Sequence, residues 1–295
     1  MGNVITWAYT YELHPDPPPA MTWQEYEQRV MAEWTSLLDS EDCDERRVHQ
    51  FLPQHPSMIP GAYSMTGPSG HPPFPLAVLS ESALSGVGTR VPDFIWLASD
   101  SAEFTPVLVE IESPRKRWFT RNEEPTHDLT QAVNQLAQWR AWLNKPENAA
   151  VFYESFEIPD YLRRYRSFRP EFVLIYGRRR EFEERPQLAG LREQFERHGQ
   201  VVMTFDRLRP AMDCSQYIAA TKRNARYRAL AVPATVRIGP NVAEDFARID
   251  GLREAILHNE WISEDRRRFL VERLPYWNGW AAGPDRGSIC SGHWE

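Results

Sequence analysis

Asp93, Glu110 and Glu112 stand at the ends of two apolar runs, PDFIWLA and PVLVEIE, inside the stretch VPDFIWLASDSAEFTPVLVEIESP, residues 91–114. Both runs are rich in β-branched and aromatic residues that suit a pleated surface, and SDSAEFT between them is turn chemistry. The stretch predicts a β-hairpin. Side chains alternate along a strand, so Glu110 and Glu112 share one face while Val109 and Ile111 turn towards a core. Antiparallel pairing brings Asp93 beside them, although a slip of one residue sends Asp93 to the other face. Three carboxylates so crowded repel unless a cation neutralises them, and hard oxygen ligands suit Mg²⁺ or Mn²⁺. The alternative is an ordinary solvated hairpin end with acidic residues.

Other elements must hold these groups. Thr22 is placed to cap a helix over TWQEYEQRVMAEWTSLL with Tyr26, Val30, Trp34 and Leu37 on one side. A second helix begins near Asp42 or Asp44 and carries Glu45 and His49, one turn apart, before Pro53 breaks it. That pair can hold a metal or a water, but on spacing alone it reads as a surface pair. LAVLSESAL is a short helix or strand. After the hairpin, RKRWFTRNEEP is a charged loop, and THDLTQAVNQLAQWRAWL is the clearest helix, with Thr126 as its cap. One side of it carries Leu129, Val133, Leu136, Arg140 and Leu143, and another carries Gln131, Gln135, Gln138 and Trp142. The amide stripe either fixes a water or phosphate or simply faces solvent. EFVLIYGR and QVVMTFDRL predict strands on either side of a helix, LAGLREQFERHG, which gives a mixed α/β layer fold. Beyond Pro210 the pattern predicts a helix over YIAATKRNARYRAL, a strand-like ALAVPATVRIG and two helices, AEDFARIDGLREAIL and SEDRRRFLVERL. Trp277, Trp280 and Trp294 either stack on bases or seal the terminal segment against the core.

The 295 residues are 42% hydrophobic and 25% charged, with a net charge of −7. That balance excludes a protein that holds nucleic acid by bulk positive charge. Arginines are nonetheless clustered in RRYRSFR, RRR at 178–180, KRNARYR and RRR at 266–268. Each cluster either tracks phosphates or pairs with the many nearby carboxylates. Only three lysines exist, Lys116, Lys145 and Lys222. Cys43, Cys214 and Cys290 suggest neither a disulfide framework nor a zinc site. No apolar run reaches membrane-spanning length and no signal-like start is seen, so the expectation is a cytoplasmic protein.

An acidic residue on an early helix (Glu45), Pro92-Asp93 opening one strand, Glu110-Ile111-Glu112 on the next and then the Gln135 helix resemble the PD-(D/E)xK nuclease superfamily. The string VEIESPRKRWFTRNEEPTHDLTQAVNQLAQWRAWL, followed by FVLIYGR and VVMTFDRL, is more specifically similar to the nuclease domain of Shedu anti-phage defence proteins, over roughly residues 40–210. The resemblance implies a restriction-endonuclease-like mixed sheet flanked by helices over residues 40–210; it does not explain the N-terminal arm and helix (1–39) or the C-terminal helical extension (211–295), which are read from the sequence pattern alone. It implies a Mg²⁺- or Mn²⁺-dependent endonuclease acting on phage or other invading DNA as a homo-oligomer. Asp93 and Glu110 would be metal ligands, Glu45 would complete the shell through a water, and Gln135 would support the site. The family's usual lysine, two residues after the second acidic ligand, is here Glu112. Either Glu112 acts as general base or extra ligand, or Lys116 or Arg115 reaches back into the site in the lysine's stead. The rival readings are a nuclease fold without turnover that binds or senses DNA, and a two-carboxylate hydrolase such as a glycosidase.

Overall fold

The computed structural model describes residues 8–84, 91–223 and 226–295. Residues 1–7 of the N-terminal arm and Asn224-Ala225 of KRNARYR lie outside the described residues.

The strands are β1 (Ala77–Ser80), β2 (Phe94–Ser99), β3 (Glu103–Ile111), β4 (Ser167–Phe168), β5 (Glu171–Ile175), β6 (Gln200–Met203), β7 (Ile218–Arg223), β8 (Arg226–Ala231) and β9 (Ile249–Asp250). They form one mixed sheet in the order β6-β5-β3-β2-β1-β7-β8-β9, with β4 paired beside β5 on the edge of β3. The helices are α1 (Trp23–Asp39), α2 (Glu45–Phe51), α3 (Tyr63–Thr66), α4 (His127–Leu143), α5 (Pro146–Ser155), α6 (Asp160–Arg164), α7 (Arg180–Glu184), α8 (Leu188–Glu193), α9 (Ala243–Ala247), α10 (Leu252–His258) and α11 (Glu264–Ala282). The architecture is the expected mixed α/β sheet flanked by helices.

Local chemistry sets the ends of the main helices. Thr22 and Glu25 form a capping box at α1, which buries Tyr26, Val30, Trp34 and Leu38. Asp44 caps α2 by accepting from the Arg47 N–H. Thr126 caps α4, whose buried face is Leu129, Ala132, Val133, Leu136, Trp139 and Leu143. Arg140, expected on that apolar stripe, instead lies over the Phe172 ring and donates to the Gly199 carbonyl. β1, β2 and most of β3 are buried on both faces rather than alternating. A central strand covered on two sides reads as a continuous apolar run, as these do.

The expected helix over YIAATKRNARYRAL is a β-hairpin, β7–β8. Its first strand pairs parallel with β1, through Ala77–Ile218, Val78–Ala219 and Leu79–Ala220. Burial between sheet neighbours overrides the helix propensity of its alanines and arginines. The segment beyond residue 210 is therefore not a helical extension alone, since it contributes three strands to the sheet that carries the hairpin. The ALAVPATVRIG run leaves the sheet after Ala231, and AEDFARIDGLREAIL splits into α9, β9 and α10. Trp277 is buried against Tyr11 of the N-terminal arm, with ring centroids 5.8 Å apart, so it seals the chain's two ends together.

Candidate active site

The hairpin register is fixed by Phe94 opposite Val109 and Ile95 opposite Leu108, which puts Asp93 opposite Glu110 one step further on. Asp93 Oδ2 accepts a hydrogen bond from the Ile111 N–H at 2.7 Å. The slipped register is excluded, and Asp93 shares the face of Glu110 and Glu112. Glu110 is only 8% exposed. Gln135 of α4 donates to its Oε1 at 2.7 Å, which leaves Oε2 buried with no hydrogen-bond partner. Burial, together with the charges of Asp93, Glu112 and Glu45, pushes the Glu110 carboxyl well above the usual carboxylate range. Glu45, the first residue of α2, is also raised, first by burial and then by Glu112 and Asp93. All four acidic residues thus feel one another.

Glu112 does not face solvent freely. Lys116 Nζ lies 2.5 Å from Glu112 Oε2 and 3.7 Å from Asp128 in the first turn of α4. The loop carrying Lys116 is sewn down beyond it: both carboxylate oxygens of Glu181 accept from the Trp118 and Phe119 N–H groups, at 2.8 and 3.0 Å. Thr126 and Tyr176 both donate to the Arg117 carbonyl. Gly177, at φ +56°, lets this loop lie close, because a Cβ there would stand 2.7 Å from both the Lys116 carbonyl and Trp118 Nε1. Of the two basic residues expected to reach back, Lys116 makes the contact with Glu112 and Arg115 is exposed.

His49 belongs to the same cluster. Its Nε2 lies 3.3 Å from Asp93 Oδ1, and its ring stacks on Phe94. Asp93 and Glu45 raise the imidazole pKa against the opposing effect of burial. The surface reading of the Glu45/His49 pair is corrected: both are half-buried and both turn to the carboxylates. The i, i+4 spacing with Glu45 was the available signal. What it lacked was the partner, which lies 44 residues further along the chain.

These residues suit a hard divalent cation in type and charge, and Glu110 Oε2 is a buried oxygen lacking any other partner. Among the described residues, however, no group of three or more His, Cys, Asp or Glu side chains is already arranged to hold a metal ion. Asp93 is turned to the Ile111 N–H and His49, and Glu112 to Lys116, so ligation requires those side chains to exchange partners. Beside Gln135 runs a polar groove of about 360 Å³ lined by His127, Thr130, Gln131, Asn134 and Gln138. Of the amide stripe read from the sequence, Gln135 reaches Glu110, while Gln131 and Gln138 are exposed along the groove.

The arginine clusters lie largely in ion pairs. Arg169 meets Glu103 at 3.1 Å, Arg178 meets Asp206 at 2.9 Å and Arg180 meets Glu184 at 2.6 Å. All three cysteines are free. Among the described residues no helix is long and apolar enough to cross a membrane. The family model described as Shedu protein SduA, C-terminal, matches residues 42–208, more than half of the chain, and spans every residue of the cluster. No curated protein matches the chain.

Proposed function

Because the chain belongs to the family of the Shedu protein SduA C-terminal domain, a family associated with anti-phage defence, we propose that it is a divalent-metal-dependent DNA endonuclease acting on phage or other invading DNA. The observation that carries the reading is the buried, unpartnered Oε2 of Glu110 among Asp93, Glu112 and Glu45. A carboxylate forced into such company is stabilised by a cation and by little else.

Asp93 and Glu110 would hold Mg²⁺ or Mn²⁺, with Glu112 as an extra ligand and Glu45 completing the shell through a water. When bound, the ion supplies Lewis acidity toward a scissile phosphate and lowers the pKa of an attacking water. Gln135 donates its amide N–H to Oε1 of Glu110, so Oε2 is the oxygen left without a partner for a cation to take. His49 holds the other oxygen of Asp93 and fixes that side chain's orientation. Glu112 stands where the superfamily's lysine is usual, and Lys116 restores a cation beside it. Once Glu112 is engaged as a ligand or as the base that takes the water's proton, the Lys116 ammonium is placed to steady negative charge on the phosphate. The chain acts as a homo-oligomer in this reading.

Cleavage of supercoiled plasmid in Mn²⁺ or Mg²⁺ tests it, comparing wild type with Glu110→Gln and Lys116→Met. Loss of at least about a hundredfold in both is expected, within the range for acid–base and charge-stabilising groups. A second reading, a nuclease fold that binds or senses DNA without turnover, is favoured by one observation: Lys116 already neutralises Glu112. Wild type that binds DNA yet leaves every form of it intact in both metals would establish that reading instead.

A further inference from the structure

We propose that a cavity beside α2, on a different face of that helix from the carboxylates, is a binding site for a planar nitrogen heterocycle of the nucleobase class. The cavity measures about 440 Å³, within the range of small-ligand sites. Its wall is a run of rings, with Phe51 and His55 centroids 4.4 Å apart and His55 and Trp261 centroids 4.6 Å apart. Such a wall offers stacking surface to any flat heterocycle.

The wall is built in advance of a ligand. Arg29 of α1 lies 4.0 Å from the Trp261 ring centre and is itself held by Glu33 at 3.2 Å, while the Trp261 N–H donates to Asn259 Oδ1 at 2.8 Å. His55 is 5% exposed, next to the Tyr26 hydroxyl. Burial, aided by the Arg29 charge, pushes its pKa down to about 3, so the ring is uncharged at neutral pH. The rim chooses among flat ligands. Gln50 and Gln54 are exposed amides, each presenting a donor and an acceptor, which is the pairing that a base edge satisfies. Two carboxylates, Glu33 and Glu260, line the cavity beside a single arginine, Arg47, so it has no concentrated positive charge for a polyphosphate. A base or nucleoside fits this lining better than a triphosphate.

α2 is common to both places. Glu45 and His49 turn to the carboxylate cluster, whereas Arg47, Gln50 and Phe51 line the cavity. A ligand that binds one placement of this two-turn helix more tightly than another shifts the equilibrium on the helix's other side by that difference, and the coupling is reciprocal. Binding itself does not depend on the nuclease reading; only its effect on cleavage does.

The same chemistry is offered by a free nucleoside and by an unstacked base in a DNA strand. Adenosine, guanosine, cytidine and thymidine, with their 5′-monophosphates, are titrated calorimetrically against wild type, Gln50→Ala/Gln54→Ala and Trp261→Leu, with circular dichroism as the check on folding. One-to-one binding of at least one nucleoside is expected, weakened about tenfold or more in each folded variant. The double substitution alters only exposed side chains, so it remains a test if Trp261→Leu unfolds. A single-stranded oligonucleotide that displaces the nucleoside identifies a DNA base as the occupant; failure to displace it identifies a free effector. No nucleoside or monophosphate binding at millimolar concentration, or binding unchanged in the folded double variant, overturns the proposal. DNA cleavage is not read in this titration, so its result is independent of the proposed activity.

Discussion

Among the buried ionisable groups of the described residues, two sets are held in opposite ways. Arg266 and Glu295 are each 2% exposed and meet through paired contacts, Nη1 to Oε2 at 3.1 Å and Nη2 to Oε1 at 2.7 Å. Arg266 also donates to the carbonyls of Pro18 and Val236, both at 2.9 Å, and only its Nε lacks a partner. Glu110 is buried almost as deeply but has three like charges around it and one amide donor. The first arrangement is complete without help, and its role is to hold the arm, α11 and the chain's far end together. The second is left unfinished by the protein itself. The difference marks where the proposed cation would be wanted: at the carboxyl group the fold leaves unpaired, not at the one it pairs.

Breaking the complete pair has the largest expected effect. Arg266→Ala leaves the buried Glu295 carboxylate to the exposed Arg237, 3.3 Å away, and urea unfolding should show a loss of about 3–5 kcal/mol. Supplying the missing cation comes next. Mn²⁺ at a hundred times its dissociation constant should stabilise wild type by about 2.7 kcal/mol in thermal unfolding, leave Glu110→Gln unmoved and stabilise Arg266→Ala as much as wild type.

In chelator, Glu110→Gln should gain roughly 1–2 kcal/mol, because a neutral amide removes the repulsion. The pH dependence of that gain is set by the raised carboxyl of Glu110 in the folded state. Folding favours its protonated form, so its contribution is fullest below the ordinary carboxylate pKa and is lost as pH rises towards the folded value. The advantage of Glu110→Gln should therefore grow from mildly acidic to alkaline pH and vanish near pH 4, as read by urea unfolding across that range. A gain independent of pH would show that the repulsion is not its source.

Gly177→Ala should cost about 1–2 kcal/mol, since it strains a positive φ and drives a methyl into the Lys116 loop. Plasmid cleavage should fall further than this loss of stability explains, because the loop places Lys116. The smallest effect belongs to an exposed pair. Arg180→Ala separates Arg180 from Glu184 at 2.6 Å on the surface and should change stability by no more than about 0.5 kcal/mol.

Much of the cluster was legible because its parts are local. The Glu110/Glu112 spacing, the turn after Ser99 and the Thr126 cap each need only a few neighbouring residues, and all three are found in place. His49 was not legible as a site residue, because its role depends on Asp93 and so on the packing of α2 against the hairpin. The β7–β8 hairpin failed for a related reason. TKRNARYR carries good helix formers, and pairing with β8 and with β1, some 140 positions earlier, makes a strand of Ile218–Arg223. The helical character expected beyond residue 210 failed with it, since a sheet can cross a break in composition that periodicity treats as a border.

That crossing sets the timing of synthesis. The β2–β3 hairpin can pair as soon as its own residues are free, but β1 keeps one bare edge until β7 has emerged to cover it. A parallel pairing over that separation is slow to close and leaves an adhesive edge exposed while it waits. The nascent chain therefore carries its acidic cluster on an incomplete sheet from the emergence of Glu112 until residue 223 has left the ribosome.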